Sequence, residues 1–410
     1  MAAGDAATPL LEMAYQYHEG CPACAVERSK ALNPGIPYMR FFHIWIIILV
    51  SCLPISSLFP FLYFMIRDLH VAKRVEDIGF YAGFVGASYM FGRALTSTAW
   101  GMVADLPIEP SKFVFNTLFG LSTHYWMAIT TRFLLGSLNG LLGPIRVSTS
   151  WAIGLIVGPA ISGYLAQPSE KYPILFLANS LFGRFPYFLP CLCISIFCFV
   201  ILISCIWLPF VKQHTGPAKD KSLFKNWPLM SSIVLFCIVS FDDMAYTEIF
   251  SLWSESDKQF GGLNFSSEDV GQVLAITGAS ILIYQTFIYP HIVKVLGIIN
   301  TSRVAVILSM ALLCSYPPMT YLSRPWLSIV VNIASMLKNN FVETISVKCR
   351  IAKYKCNFGF ATELIILVFS WAQKRQHAFF FPGDQMVFFI LIIIEFLELI
   401  WTFKPFLTMP

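Results

Sequence analysis

The chain has 410 residues, 57% of them hydrophobic and 12% charged, and a mean hydropathy of +0.67. A water-soluble domain cannot clothe its surface with so few polar residues, so composition points to a polytopic membrane protein. The net charge of +5 does not argue for a nucleic-acid partner, because the basic residues fall mostly on one side of a series of apolar runs.

Residues 1–40 form a polar stretch with Asp5, Glu12, Glu19, Glu27, Arg28, Lys30 and Arg40, and no apolar core followed by a small-residue cleavage site, so they read as a cytoplasmic tail rather than a signal peptide. The tail carries Cys21-Pro22-Ala23-Cys24. Two thiolates at this spacing suit zinc, yet a tetrahedral site needs four ligands and His18 is the one obvious third, so metal capture, a redox pair and a simple turn all stay open.

Six runs predict a first half: 41–66, 78–104, 113–124, 126–145, 147–166 and 185–210. Six more, 228–253, 270–291, 304–322, 326–347, 358–371 and 385–403, predict a second. Most reach the ~20 residues that a ~30 Å hydrocarbon slab requires. The third would rise only about 18 Å as a helix, and the eleventh is similarly short. The expected fold is therefore an all-α polytopic bundle of about twelve spans in two six-helix halves, with the first half incomplete.

Between the halves, residues 211–227 hold Gly216-Pro217 with Lys212, Lys219, Lys221 and Lys225, and read as a cytoplasmic linker joining 41–210 to 228–410. With the tail inside, this linker and Lys348, Arg350, Lys353 and Lys355 fall on the cytoplasmic side, and the acid-rich stretch 255–269 falls outside. Lys374 and Arg375 run against the rule. Of the eleven cysteines, Cys52, Cys191, Cys193, Cys198, Cys205, Cys237 and Cys314 lie in apolar runs and read as small packing residues.

The seventh run contains Asp242, Asp243 and Glu248. A carboxylate in hydrocarbon costs at least a few kcal/mol, so it persists where it faces a polar cavity or a partner. Adjacent acids on a helix point about 100° apart, so only one of Asp242 and Asp243 faces a central cavity squarely. These three are the candidate proton- or substrate-coupling acids, and Arg132, about two turns into the fourth run, is their candidate counter-charge. No histidine, cysteine or serine constellation stands at catalytic spacing, which argues against an intramembrane enzyme. No cofactor is expected; the expected partners are the bilayer, protons and a small ion or molecule.

Specific motifs sharpen this reading. Tyr81-Ala82-Gly83-Phe84-Val85-Gly86, through Gly92-Arg93 to Trp100-Gly101-Met102-Val103-Ala104-Asp105, resembles the second-helix gating motif of the major facilitator superfamily. Arg132-Phe133-Leu134-Leu135-Gly136 resembles its fourth-helix motif, and Gly154, Gly158-Pro159 and Gly163 its fifth-helix antiporter motif. Within the superfamily, the Cys21–Cys24 turn, Leu53-Pro54-Ile55-Ser56-Ser57, Leu165-Ala166-Gln167-Pro168, Phe241-Asp242-Asp243-Met244 and Ser370-Trp371-Ala372-Gln373 are similar to the plant zinc-induced facilitator-like branch. The resemblance implies a proton-coupled antiporter of the vacuolar or plasma membrane, acting on zinc, potassium or small organic anions. It also implies a cytoplasmic gate that includes Gly92, Arg93, Gly101 and Asp105.

Three stretches depart from that pattern. The basic turn expected after Asp105 is replaced by Leu106-Pro107-Ile108-Glu109, the fourth and fifth runs join directly through Pro144-Ile145-Arg146-Val147, and residues 347–367 do not follow the family. They keep an alternative in view: a truncated, non-transporting membrane protein from an altered splice form or a faulty gene model. For the tail, zinc titration of a peptide spanning residues 12–30 separates the open readings. Capture by Cys21 and Cys24 requires tighter binding than in the double-serine variant, with loss as the thiols protonate, whereas equal affinity leaves the turn.

Overall fold

The structure, a computed structural model, describes residues 38–102, 109–139, 148–177, 179–206, 227–350 and 385–403. Among these residues every regular element is helical. Besides the four-residue helices Pro168–Lys171 and Leu181–Arg184, the first half contains α1 (Tyr38–Ser56), α2 (Leu62–Asp68), α3 (Ile78–Met102), α4 (Glu109–Gly120), α5 (Tyr125–Leu138), α6 (Ser148–Leu165) and α7 (Phe188–Ile206). The second half supplies α8 (Trp227–Glu255), α9 (Ser267–Ile283), α10 (Ile298–Met319), α11 (Trp326–Arg350) and α12 (Gln385–Trp401). Residues 1–37 of the predicted tail, 211–226 of the linker and the eleventh run lie outside the described residues.

Two predicted runs take a form that apolarity alone does not show. The first, expected as one span, is broken over residues 57–61 into α1 and α2. Pro60 cannot donate to the helical ladder, and the carbonyl of Phe59 freed there accepts a hydrogen bond from Ser251 Oγ of α8 at 2.6 Å. The eighth, by contrast, runs past its predicted end: α9 passes through a π-turn (Tyr284–Ile288) into Tyr289–Leu296, where Pro290 lies at the start. Its other end is fixed by a capping box in which Ser266 Oγ accepts from Asp269 N at 3.2 Å and Ser266 N donates to Asp269 Oδ2 at 2.9 Å. α4 has only 12 residues, about 18 Å of rise.

The bundle is apolar outside and polar inside. On α12, Ile393, Phe396, Leu397 and Ile400 are exposed while Glu395 and Glu398 are buried. On α7, Ile196, Phe199, Val200 and Ile203 are exposed and Ser195 is buried. This inversion is stable only when the surroundings are hydrocarbon. Ser267–Leu296 and Ile298–Met319 are each long and apolar enough to cross a bilayer, and Trp45–Ser56, Ile153–Leu165 and Phe188–Ile201 are shorter apolar stretches.

Among the described residues the largest apolar cluster joins the two halves toward one end. Around α2 and the end of α8, a continuous apolar cluster joins Phe61, Tyr63, Ile66 and Phe119 of the first half to Phe250, Trp253, Phe265 and Phe388 of the second. Toward the opposite end, Val50, Leu53, Ile194 and Cys198 pack within the first half, and Leu235, Val239, Val306 and Val342 within the second. A third contact bridges the halves at the shared end, where Lys171 Nζ, beyond α6, donates to Gly163 O and to Ser267 Oγ, the latter at 2.9 Å.

Glycine sets the closest helix approach between the halves. A Cβ on Gly271 of α9 would stand 2.7 Å from Pro159 O and 2.8 Å from Gly163 Cα of α6. Neither obstacle is a flexible side chain, so the backbones themselves would have to part. Gly271→Leu is expected to destabilise the fold by about 1–3 kcal/mol through overpacking. A lowered melting temperature in detergent, against Ile276→Leu on the exposed face of the same helix as control, is the check.

Candidate functional site

α8 carries Asp242 near its middle, and the structure separates the adjacent acids as helical geometry requires: Asp242 is 1% exposed, while Asp243 is half-buried and Glu248, further along, is buried. Lys338 of α11, 96 residues later, reaches the same point. Its Nζ donates to Asp242 Oδ2 at 2.9 Å and lies 3.4 Å from Glu395 Oε1 of α12. Ser309 Oγ of α10 donates to the same Glu395 oxygen at 2.6 Å. Four helices therefore meet at one ammonium, and Lys338 has 0% exposure.

The ammonium is also roofed by aromatic rings. Lys338 Nζ stands 4.2 Å from the centroid of the Tyr246 ring, whose negative face attracts a cation most where water is excluded. The hydroxyls of Tyr246 and Tyr316 are 2.6 Å apart. Tyr316 stacks on Phe388 and meets Trp253 edge-on, which carries the site into the apolar seal between the halves. One turn beyond Glu395, Glu398 is equally buried at 1% exposure.

The opposite charge on Asp242 is thus Lys338, and the expectation that Arg132 fills this place is corrected. Arg132 sits on α5 in the first half, 2% exposed, where its Nη1 donates to Pro54 O of α1 at 2.7 Å and its guanidinium lies 4.1 Å over the Phe119 ring of α4. α1 ends at Ser56, and Leu58 N, which would have continued the ladder to Pro54 O, bonds Ile55 O instead, so Pro54 O is open to another donor. A buried guanidinium is such a donor.

The motif glycines are packing contacts with distinct partners. Gly92 of α3 lies against Phe133 and Ser137 of α5, and Thr96 Oγ1 donates to Ser137 O at 2.7 Å one turn further on. Arg93 is buried, Gly101 closes α3, and Asp105, like Cys21 and Cys24, lies outside the described residues. Gly154 and Gly158 of α6 press on α1, where Ser56 Oγ donates to Gly154 O at 2.9 Å, whereas Pro159 and Gly163 press on Gly271 of α9. These four residues thus wedge α6 between α1 of its own half and α9 of the other. Among the described residues no group of three His, Cys, Asp or Glu side chains stands in a metal-binding arrangement.

Lys338, Glu395 and Glu398 are the site residues that sequence reasoning passed over. The signal for the acids was present, since Glu395 and Glu398 are three apart in an otherwise apolar run and so share a helix face. Lys338 gave a signal as well, since it stands at the middle of the predicted run 326–347, where an ionisable side chain needs a partner or a polar cavity.

No protein-family model matches the chain. Solved structures share its fold at low identity. A D-xylose–proton symporter gives a TM-score of 0.59 at 12% identity, covering 88% of this chain and 95% of that one. A bacterial homologue of the human lysosomal transporter Spinster gives 0.58 at 10%, covering 90% and 97%, and the nucleoside transporter NupG 0.55 at 13%, covering 88% and 96%. The all-α bundle is that of the major facilitator transporters.

Among curated proteins, the chain is 44% identical to ZINC INDUCED FACILITATOR-LIKE 1 of Arabidopsis thaliana over 460 positions, covering 95% of this chain and 96% of the relative. ZINC INDUCED FACILITATOR 1 of the same plant is 42% identical, with 96% of each covered. The chain belongs to the zinc-induced facilitator-like family, and is a multi-pass membrane transporter of the major facilitator type and not an enzyme. A third Arabidopsis relative, described as a probable peptide/nitrate transporter, aligns at 43% over 485 positions with all of this chain's 410 residues, so 75 of those positions have no counterpart here.

Ser309 offers a direct probe of the site. Ser309→Ala removes a donor from a buried carboxyl oxygen and is expected to cost about 1–3 kcal/mol. The melting temperature in detergent should fall accordingly, while Ser315→Ala, whose hydroxyl bonds only Leu312 O of its own helix, leaves it nearly unchanged.

Proposed function

We propose that the chain is built as a proton-coupled secondary carrier that moves zinc, potassium or a small organic anion by alternating access, as an antiporter of the vacuolar or plasma membrane. One observation carries this reading: Asp242 and Glu395, both buried, share the single ammonium of Lys338 inside the second half. A structural ion pair needs one carboxylate per cation. A second carboxylate on the same cation gives a group that can take up or release a proton without leaving a bare charge in the bundle.

The packing of the halves supports the mechanical part. They share apolar core at one end and keep separate cores toward the other, which is one extreme of a rocking pair. The zinc-induced names of the relatives and the paired tail thiols favour a metal among the substrates; the buried Arg132 favours an anion.

A second reading, that this form does not transport, rests on α4 and on the positions without counterpart. A helix of about 18 Å falls ~12 Å short of a ~30 Å slab, and mismatch costs fractions of a kcal/mol per Å. Several kcal/mol then oppose a regular seat for α4, against total stabilities of only ~5–15 kcal/mol.

Reconstituted vesicles test both readings. A version with the missing positions restored from a relative should show uptake driven by a pH gradient, and Asp242→Asn in it should fall to the level of protein-free vesicles. Unchanged uptake and pH dependence in that variant would overturn the coupling role. The chain itself, compared at matched abundance, should be inactive under the second reading, and equal activity would remove that reading.

A further inference from the structure

Three carboxyl groups and one ammonium are enclosed together in the second half, and their charges do not balance if all are ionised. Asp242, Glu395 and Glu398 are each 1% exposed and Lys338 is 0% exposed. An uncompensated carboxylate in such surroundings costs several kcal/mol, so a neutral resting cluster requires protons on two of the three acids. The question is which acid gives its proton up.

The contacts separate the three. Asp242 makes the shorter approach to the ammonium, 2.9 Å, in a direct charge-assisted hydrogen bond, so it is the ammonium's resting partner. Glu398 has no ion-pair partner among the described residues and its Oε1 has no hydrogen bond, so nothing waits to receive its charge. Glu395 is intermediate. Its Oε1 accepts from Ser309 Oγ at 2.6 Å and lies 3.4 Å from Lys338 Nζ, whereas its Oε2 is buried with no hydrogen-bond partner. A group that must be stable both with and without a proton needs a donor for its ionised form and an oxygen free to hold the proton. Asp242 and Glu395 each have a free buried oxygen, but only Glu395 also holds a neutral donor, Ser309 Oγ, that stays in place when the ammonium moves.

We propose that Glu395 is the residue that carries the coupled proton, held on Oε2, and that Lys338 exchanges its tighter contact from Asp242 to Glu395 when that proton leaves. This assignment rests on the proton-coupled reading above and names its titrating group. In the loaded state, Glu395 is a neutral acid and the Asp242 carboxylate pairs with the ammonium. On release, the Oε2–H bond breaks, the proton passes to water on the open side, the bonding pair stays on the carboxyl group, and the ammonium keeps all three of its protons between two carboxylates. The groups that face Glu395 are Lys338 of α11, Asp242 and Tyr246 of α8, Ser309 and Tyr316 of α10, and Glu398 of its own helix. Movement of the ammonium by a few tenths of an ångström changes how α11 is tied to α8 and α12, which links the proton to helix positions.

Infrared difference spectroscopy on the purified full-length chain, between acid and alkaline buffer, reads the carbonyl stretch of a protonated carboxyl group directly and does not depend on transport. A single titrating carboxyl band is expected. It should be lost in Glu395→Gln, shifted in frequency but kept in Glu395→Asp, kept in Glu398→Gln, and moved to lower pH in Asp242→Asn, where Glu395 becomes the ammonium's one carboxylate. A band that survives Glu395→Gln, that disappears in Glu398→Gln instead, or that is unmoved in Asp242→Asn would overturn the assignment. Absence of any titrating band would overturn it as well. The titrating band together with pH-independent uptake by the restored version would leave this assignment standing and remove the coupling reading beneath it.

Discussion

A single ammonium without access to water constrains the second half. Lys338 can stay charged there only because Asp242 and Glu395 come to it from two other helices, and those acids tolerate burial only because Lys338 lies between them. Removing Lys338 exposes both acids to the cost of desolvation, so α8, α11 and α12 are held in register by charge and not only by apolar packing, which gains little inside lipid. Ser309 adds α10 to the group. The aromatic side chains above it, Tyr246, Tyr316, Trp253 and Phe388, keep the site dry from the side where the halves meet.

The first half is organised by close backbone approach. α6 lies against α1 through Gly154 and Gly158 and against α9 through Pro159 and Gly163, so one helix couples both halves. The break between α1 and α2 has a comparable effect, because the carbonyl it frees on Phe59 becomes an acceptor for Ser251 of the other half. Both features stand at the end where the apolar core is continuous. Motion of the halves therefore acts against a small number of identifiable contacts, with Lys171 on Ser267 among them.

Much of this was legible in the sequence and some was not, for physical reasons. Apolar periodicity located eleven of the twelve expected runs as helices among the described residues, since hydrocarbon permits little else. The pair Asp242 and Asp243 announced a site, and helical geometry alone required that only one be fully buried. Lys338 stood at the middle of its predicted run, but its partnership was hidden because pairing across 96 residues depends on which helices become neighbours. Arg132, chosen as counter-charge because it was the conspicuous buried cation, instead meets Pro54 and Phe119 within its own half. The α1–α2 break was written in Pro60, but apolar residues on both sides of it masked the interruption.

The central claim is that Asp242 and Lys338 form one electrostatic unit, and the most direct measurement is a double-mutant cycle on the full chain in detergent. Asp242→Asn and Lys338→Met, made singly and together, are followed by denaturant unfolding. Lys338→Met should destabilise by about 3–5 kcal/mol because it strands the Asp242 carboxylate, Asp242→Asn by less because Glu395 still holds the ammonium, and the double change should recover much of the Lys338→Met loss. Effects that simply add, with no recovery in the double variant, would contradict the account.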